Sequence, residues 1–155
     1  MNSKLEFLWV GANVPHEHYV PVRKTTLASG LDLKAYVEKP TIIAPNTHQL
    51  IRTGWKVKIP AGHELQIRTR SGMAYKHGII VLNCPGTIDA DYQGELKIIL
   101  ANTSNTEFIV LDGMTVAQLV MCPVVYPDVH VIETGSLFDA TSMRGTGGFG
   151  STGEY

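Results

Sequence analysis

Trp55-Lys56-Val57-Lys58-Ile59-Pro60-Ala61-Gly62-His63-Glu64-Leu65-Gln66-Ile67-Arg68 is the stretch that decides the fold class. Residues 55–59 alternate apolar and polar, residues 64–68 do the same, and Pro60-Ala61-Gly62 interrupts the chain between them. A period of two sends successive side chains to opposite faces of a pleated backbone, so each run reads as a half-buried strand. Upstream, Gly54 and Pro45-Asn46 supply further breaks. Downstream, residues 96–101, 108–111 and 116–122 are apolar with weak alternation. Such strands need cover on both faces, from a second sheet or a neighbouring subunit. Short strands at regular spacing predict an all-β sandwich, barrel or jelly roll. Residues 70–78 are the exception: Ser71 is expected to cap a short helix and Gly78 to end it, with Lys76 and His77 in its last turn.

A chain of 155 residues suits one domain with a substantial core. Its 13 Lys and Arg against 14 Asp and Glu give a net charge of −1, which argues against a nucleic-acid binder but leaves room for local anion sites. The 17% charged share is below the usual quarter or so, as expected of a chain that buries surface against its own copies. No apolar run approaches the roughly 18 residues of a membrane span, and residues 1–6 do not read as a secretory signal. Cys84 and Cys122 are isolated, so neither belongs to a paired metal motif, and a cytoplasmic location is expected. Composition divides the chain into a domain over residues 1–140 and a glycine-rich tail over 141–155.

Five features could carry chemistry. In the tail, Gly145-Thr146-Gly147-Gly148-Phe149-Gly150 spells G-x-G-x-x-G, yet the five residues after Gly150 cannot supply the helix of a dinucleotide fold. Arg144, the unobstructed glycine backbone, Ser151, Thr152 and Phe149 instead suit closure over a ligand with phosphates and a flat ring. The other reading is a flexible end. In residues 83–95, Pro85-Gly86 reads as a turn joining the arms of a hairpin. Asp89 and Asp91 then face one way, either as working carboxylates or as a solvated acidic turn. Arg70-Ser71-Gly72 offers an anion site at the start of the helix. Asp32 sits between Leu31 and Leu33, and Gln118 puts an amide into an apolar run where it must find partners. His16-Glu17-His18 has no third ligand in sight and reads as structural. Lys56 and Lys58 read as a solvated strand face.

Together and in this order these features resemble the trimeric dUTPase family, the deoxyuridine triphosphate nucleotidohydrolases. The resemblance runs through five motifs from Ala28 to Gly153, and is most specific at residues 86–95 and in the tail. It departs at Gly113-Met114-Thr115, which lacks the acidic-basic pair that usually follows the glycine, and at Leu31, where many members carry Tyr. The resemblance implies a distorted jelly-roll (β-clip) subunit with one short helix, assembled as a homotrimer with three shared sites. It implies hydrolysis of dUTP to dUMP and pyrophosphate with Mg²⁺, by water attack on the α-phosphorus. Asp89 would be the base, and Asp32 would organise the metal through water. Arg70, Ser71, Gly72 and Gln118 would hold phosphates, with Arg144, Ser151 and Thr152 closing on the γ end. Asn83 and the main chain around Gly86 and Ile88 would read uracil. Tyr92 would pack under the deoxyribose, and Phe149, followed by Gly150, would stack on the base. A dCTP deaminase, which shares the fold and trimer, and a non-catalytic β trimer are the alternatives.

Overall fold

The computed structural model describes residues 4–12, 16–134 and 137. In chain order the elements are β1 (Glu6–Trp9), a 3₁₀ turn (His16–Tyr19), β2 (Leu31–Lys34), β3 (Thr41–Ile43), β4 (His48–Arg52), β5 (Trp55–Lys58), β6 (His63–Arg68), α1 (Ser71–His77), β7 (Ile79–Val81), β8 (Gly86–Ile88), β9 (Lys97–Asn102), β10 (Phe108–Val110) and β11 (Thr115–Pro123). All of them lie in one compact unit, Met1–Val125. In the second unit, Tyr126–Tyr155, the described residues form no helix or strand. No helix among the described residues is long and apolar enough to cross a membrane.

Every named strand pair is antiparallel. One sheet has the order β2-β11-β6-β8 and another β4-β9-β7, with two-stranded ribbons β1-β5 and β3-β10. The alternation read in β5 and β6 is realised: Trp55, Val57, Leu65 and Ile67 are buried, while Lys58 is exposed. Leu33, Leu65 and Leu119 from the first sheet meet Ile51, Ile98 and Leu100 from the second in a single core cluster. Leu50 on β4 and Leu82, just after β7, are exposed in this chain.

Two local expectations need correction. Ser71 does not cap α1 but is its first residue; the capping position belongs to Arg70, which is extended and makes no side-chain cap. The carbonyl of Arg70 accepts from the N–H groups of Met73 and Ala74, while its guanidinium turns away toward Asp32 and Thr115. Gly78 does end the helix, at φ 64°, a left-handed conformation that a side chain would resist. The second correction concerns Pro85-Gly86. β7 and β8 do not pair as a hairpin: β7 joins β9, β8 joins β6, and the turn carries the chain from one sheet to the other. The apolar Ile79 and Val81 go to the core beside β9, whereas the buried Gly86 lies opposite Ile67.

The His16-Glu17-His18 turn serves packing. His16 stacks on Trp9, which stacks on Tyr19 and meets Tyr36 and Trp55 edge-on, tying β1 to the body. Among the described residues no three His, Cys, Asp or Glu side chains gather as a metal site.

Candidate active site

The site starts from one row of side chains across the first sheet. Gln118 on β11 stands opposite Asp32 on β2 and Arg68 on β6. Directly opposed residues on a shared face have Cβ atoms about 5 Å apart, so a carboxylate, an amide and a guanidinium become neighbours although 50 residues or more separate Gln118 from either partner. Beyond Arg68 the chain passes through Thr69 and Arg70 into α1, which brings the exposed Ser71 and Gly72 to the same place. Together these groups wall a cavity of ≈640 Å³.

Asp32 is its buried acid, 9% exposed. The Arg70 Nε lies 3.4 Å from one carboxylate oxygen and the Lys24 Nζ 3.8 Å from the other. That second oxygen, Oδ2, is buried and accepts no hydrogen bond. Arg70 also donates from Nη1 to the Thr115 carbonyl at 3.2 Å, which fixes the guanidinium and leaves the rest of its N–H fork for a ligand. The Gln118 amide donates through Nε2 to the Thr69 carbonyl at 3.1 Å, and that bond sets which way the amide faces. Its other end lies against Gly30, where an added Cβ would come within 3.2 Å of the Gln118 side chain. Glycine is required there for close approach. Four cations, Lys24, Arg68, Arg70 and Lys76, line the cavity against the single carboxylate of Asp32. Such a balance attracts a polyanion, above all one able to take several N–H donors at once.

Asn83, Asp89, Asp91 and Tyr92 are exposed, Ile88 is half-buried, and none of them lines that cavity. For the residues from Ile88 onward the register gives the reason. Gly86 pairs with Ile67 and Ile88 with Leu65, so the chain reaches Asp89 at the Glu64 end of β6, whereas Arg70 follows the other end. Six residues of extended chain from Glu64 to Arg70 span roughly 20 Å. Asp91 and Tyr92 line a separate cleft of ≈490 Å³ with Phe7, Leu8 and Lys56. Glu95 anchors this segment by accepting from Arg52 Nε at 3.0 Å and from the Gly54 N–H at 2.9 Å. The Tyr92 hydroxyl donates to the Glu95 carbonyl at 3.1 Å.

One chain therefore gathers Asp32, Arg70, Ser71, Gly72 and Gln118; Asn83 and Gly86 lie outside that cavity beside the Arg70 end of β6, and Asp89 and Tyr92 lie toward its far end. Arg144, Phe149, Gly150, Ser151 and Thr152 lie outside the described residues. Lys24 and Arg68 are wall residues that sequence reading missed. Arg68 could have been found as the outward member of an alternating strand. Lys24 carries no local signal: it comes near Asp32 beside a lone bridge between Val22 and Asp32.

A β fold whose sheet walls a cationic cavity around one buried carboxylate is an all-β protein with an anion-attracting site. Comparison with known proteins narrows this. The family description dUTPase matches residues 16–153. A deoxyuridine 5'-triphosphate nucleotidohydrolase of Chlamydia trachomatis serovar D is 50% identical over 135 residues, covering 87% of this chain and 91% of that protein. The protein of the same name from Sinorhizobium medicae is 47% identical over 136 residues, covering 86% and 82%. Among solved structures, the dUTPase of Staphylococcus bacteriophage 80alpha with dUpNHpp has a TM-score of 0.81 at 24% identity, covering 99% of both chains. A mutant dUTPase from phage phi11 of S. aureus, solved for the coordination of a structural Mg(II) ion, gives 0.74 at 21% identity, covering 88% of this chain and 99% of that one. The chain belongs to the dUTPase family, and its fold is the family's jelly roll with one short helix.

Proposed function

We propose that this protein hydrolyses dUTP to dUMP and pyrophosphate, which keeps uracil out of DNA and supplies dUMP for thymidylate synthesis. The observation that carries the reading is the row Asp32–Gln118–Arg68 with Arg70 beside it, a preformed cradle for phosphates in a chain of this family. Arg70, Ser71, Gly72 and Gln118 hold the triphosphate, since phosphoryl transfer is mostly positioning and charge neutralisation. The residues fit Mg²⁺ as well: the buried Oδ2 of Asp32 accepts no hydrogen bond, with the Lys24 Nζ 3.8 Å away, and is open to accept from a water of the ion's hydration shell. When bound, Mg²⁺ supplies neutralising charge to the phosphate oxygens. Asp89 takes the proton of the attacking water, the task of a general base. Asn83 with the main chain at Gly86 and Ile88 reads the uracil edge, and Tyr92 walls the deoxyribose against a 2′-hydroxyl. Phe149, Gly150, Ser151, Thr152 and Arg144, in the tail over residues 141–155, close over base and phosphates.

The roughly 20 Å between the levels of Asp89 and Arg70 along β6 supports a shared site in a homotrimer, in which one chain's Asp89 serves the cradle of another. The place of action is the cytoplasm. Incubation with dUTP, dCTP and UTP, with and without Mg²⁺, tests the reading. Mg²⁺-dependent release of dUMP and pyrophosphate from dUTP alone is expected. Ammonia from dCTP, or binding without turnover, would replace it with a deaminase or a binding module.

A further inference from the structure

Between β6 and α1 the chain has two residues, Thr69 and Arg70, and Thr69 has every polar group engaged. Its N–H donates to the Cys84 Sγ at 3.4 Å, its hydroxyl accepts from the Val81 N–H at 2.8 Å, and its carbonyl accepts from the Gln118 amide at 3.1 Å. The first two bonds reach the crossing from β7 to β8, and the third reaches the phosphate cradle. We propose that Thr69 is a positioning residue, which holds the base-reading turn at Asn83–Gly86 in fixed register on the β6–β11 sheet. The proposal rests on the base-reading role given to that turn above.

The turn needs such a hold. Leu82, Asn83, Cys84 and Pro85 are all exposed, so packing does little to fix them. Local backbone bonds supply two ties, Cys84 N–H to the Val81 carbonyl at 3.2 Å and Leu82 N–H to the Ile99 carbonyl at 2.8 Å. Both approach from the β7–β9 side. Thr69 approaches from the β6 side, where Ile67 pairs with Gly86. A turn that crosses between two sheets is thus tied to both. The Thr69 hydroxyl also satisfies the Val81 amide at the point where β7 ends, which sets where the crossing begins. Serine keeps this acceptor; valine keeps the shape and loses it.

The test is the ratio of kcat/KM for dUTP over dCTP, because the two bases differ at the polar edge that the turn reads, whereas a general loss of structure lowers both substrates and leaves the ratio alone. Thr69→Val is expected to lower the ratio roughly tenfold or more, the scale on which small misplacements act. Thr69→Ser is expected to stay near the parent value. Cys84→Ala, which removes the acceptor of the Thr69 N–H, is expected to shift the ratio the same way by a smaller factor. Asn83→Ala is the control for the turn itself. If it lowers the ratio while a folded Thr69→Val does not, Thr69 has no positioning role. Should Thr69→Val fail to fold, an unchanged ratio in Cys84→Ala overturns the proposal instead. An unchanged ratio in Asn83→Ala would strike the base-reading role of the turn, a different failure.

Discussion

The cradle around Asp32 and the segment from Asn83 to Glu95 are built in opposite ways. Asp32, Gln118 and Arg68 sit on three adjacent strands, and Arg70 is tied to Asp32 and Thr115. The ladder that holds the sheet together holds these groups too. Asn83, Asp89 and Asp91 are exposed, on a crossing and a turn anchored by Glu95, Thr69 and a few backbone bonds. The difference separates tasks. Neutralising a triphosphate needs fixed charges that lose no freedom when the ligand arrives, whereas a group that works at a neighbouring chain's site must project outward.

The largest effect tests that division directly. Asp89→Asn should lower kcat by about 10²- to 10⁴-fold and leave binding of a non-hydrolysable dUTP analogue nearly intact, because an amide cannot take the proton. Arg70→Ala should instead weaken the binding itself. Mixed under subunit exchange, the two inactive proteins should recover activity, since some sites then combine an intact Asp89 with an intact Arg70 from different chains. No recovery in mixed trimers verified by mass would mean that the halves work within one chain.

Next in size is the sugar. Tyr92→Ala should lower the preference for dUTP over UTP, measured as the ratio of kcat/KM, without disturbing the cradle. Smaller again is Gly30→Ala. Its new methyl meets the Gln118 side chain, so the amide must turn or shift and affinity for the triphosphate should fall. Isothermal titration with the analogue reads that loss; full affinity would show that Gln118 has room to spare.

How much of this was legible in the sequence follows from which interactions are local. The alternation of residues 55–59 and 64–68 reports burial on one face, and the strands stand there, because Pro60 and Gly62 leave no other reading. The end of α1 at Gly78 was equally local. Its start is not: Arg70 stays extended before α1 with its guanidinium on Asp32, a contact across 38 positions that no capping rule contains. Pro85-Gly86 showed a turn but not its destination. Pairing of β8 with β6 is settled by the core, and a turn signal is silent on which sheet receives the chain. In the same way Lys24 became a wall residue only through the fold around Asp32.

The smallest effect belongs to Tyr19, which lines neither the cavity nor the cleft. Tyr19 is buried beneath Trp9 and Tyr36, and its hydroxyl bonds the Asp112 carboxylate, which also accepts from the Val37 N–H at 3.0 Å. Burial first, and then the Asp112 carboxylate, push the Tyr19 phenol up to about 12 from its usual value near 10. The folded state therefore keeps a proton that the unfolded chain gives up earlier. This contribution to stability is fully present below about pH 10, falls as the pH rises from there, and is gone above about 12. Urea midpoints measured between pH 9 and pH 12 should decline more steeply for the parent than for Tyr19→Phe, which has no phenolic proton at that position. The dUTP over UTP and dUTP over dCTP ratios at neutral pH should be the same in both proteins. Parallel declines would place the titration elsewhere, and a changed ratio would couple the aromatic cluster, through Phe7, to the cleft at Tyr92.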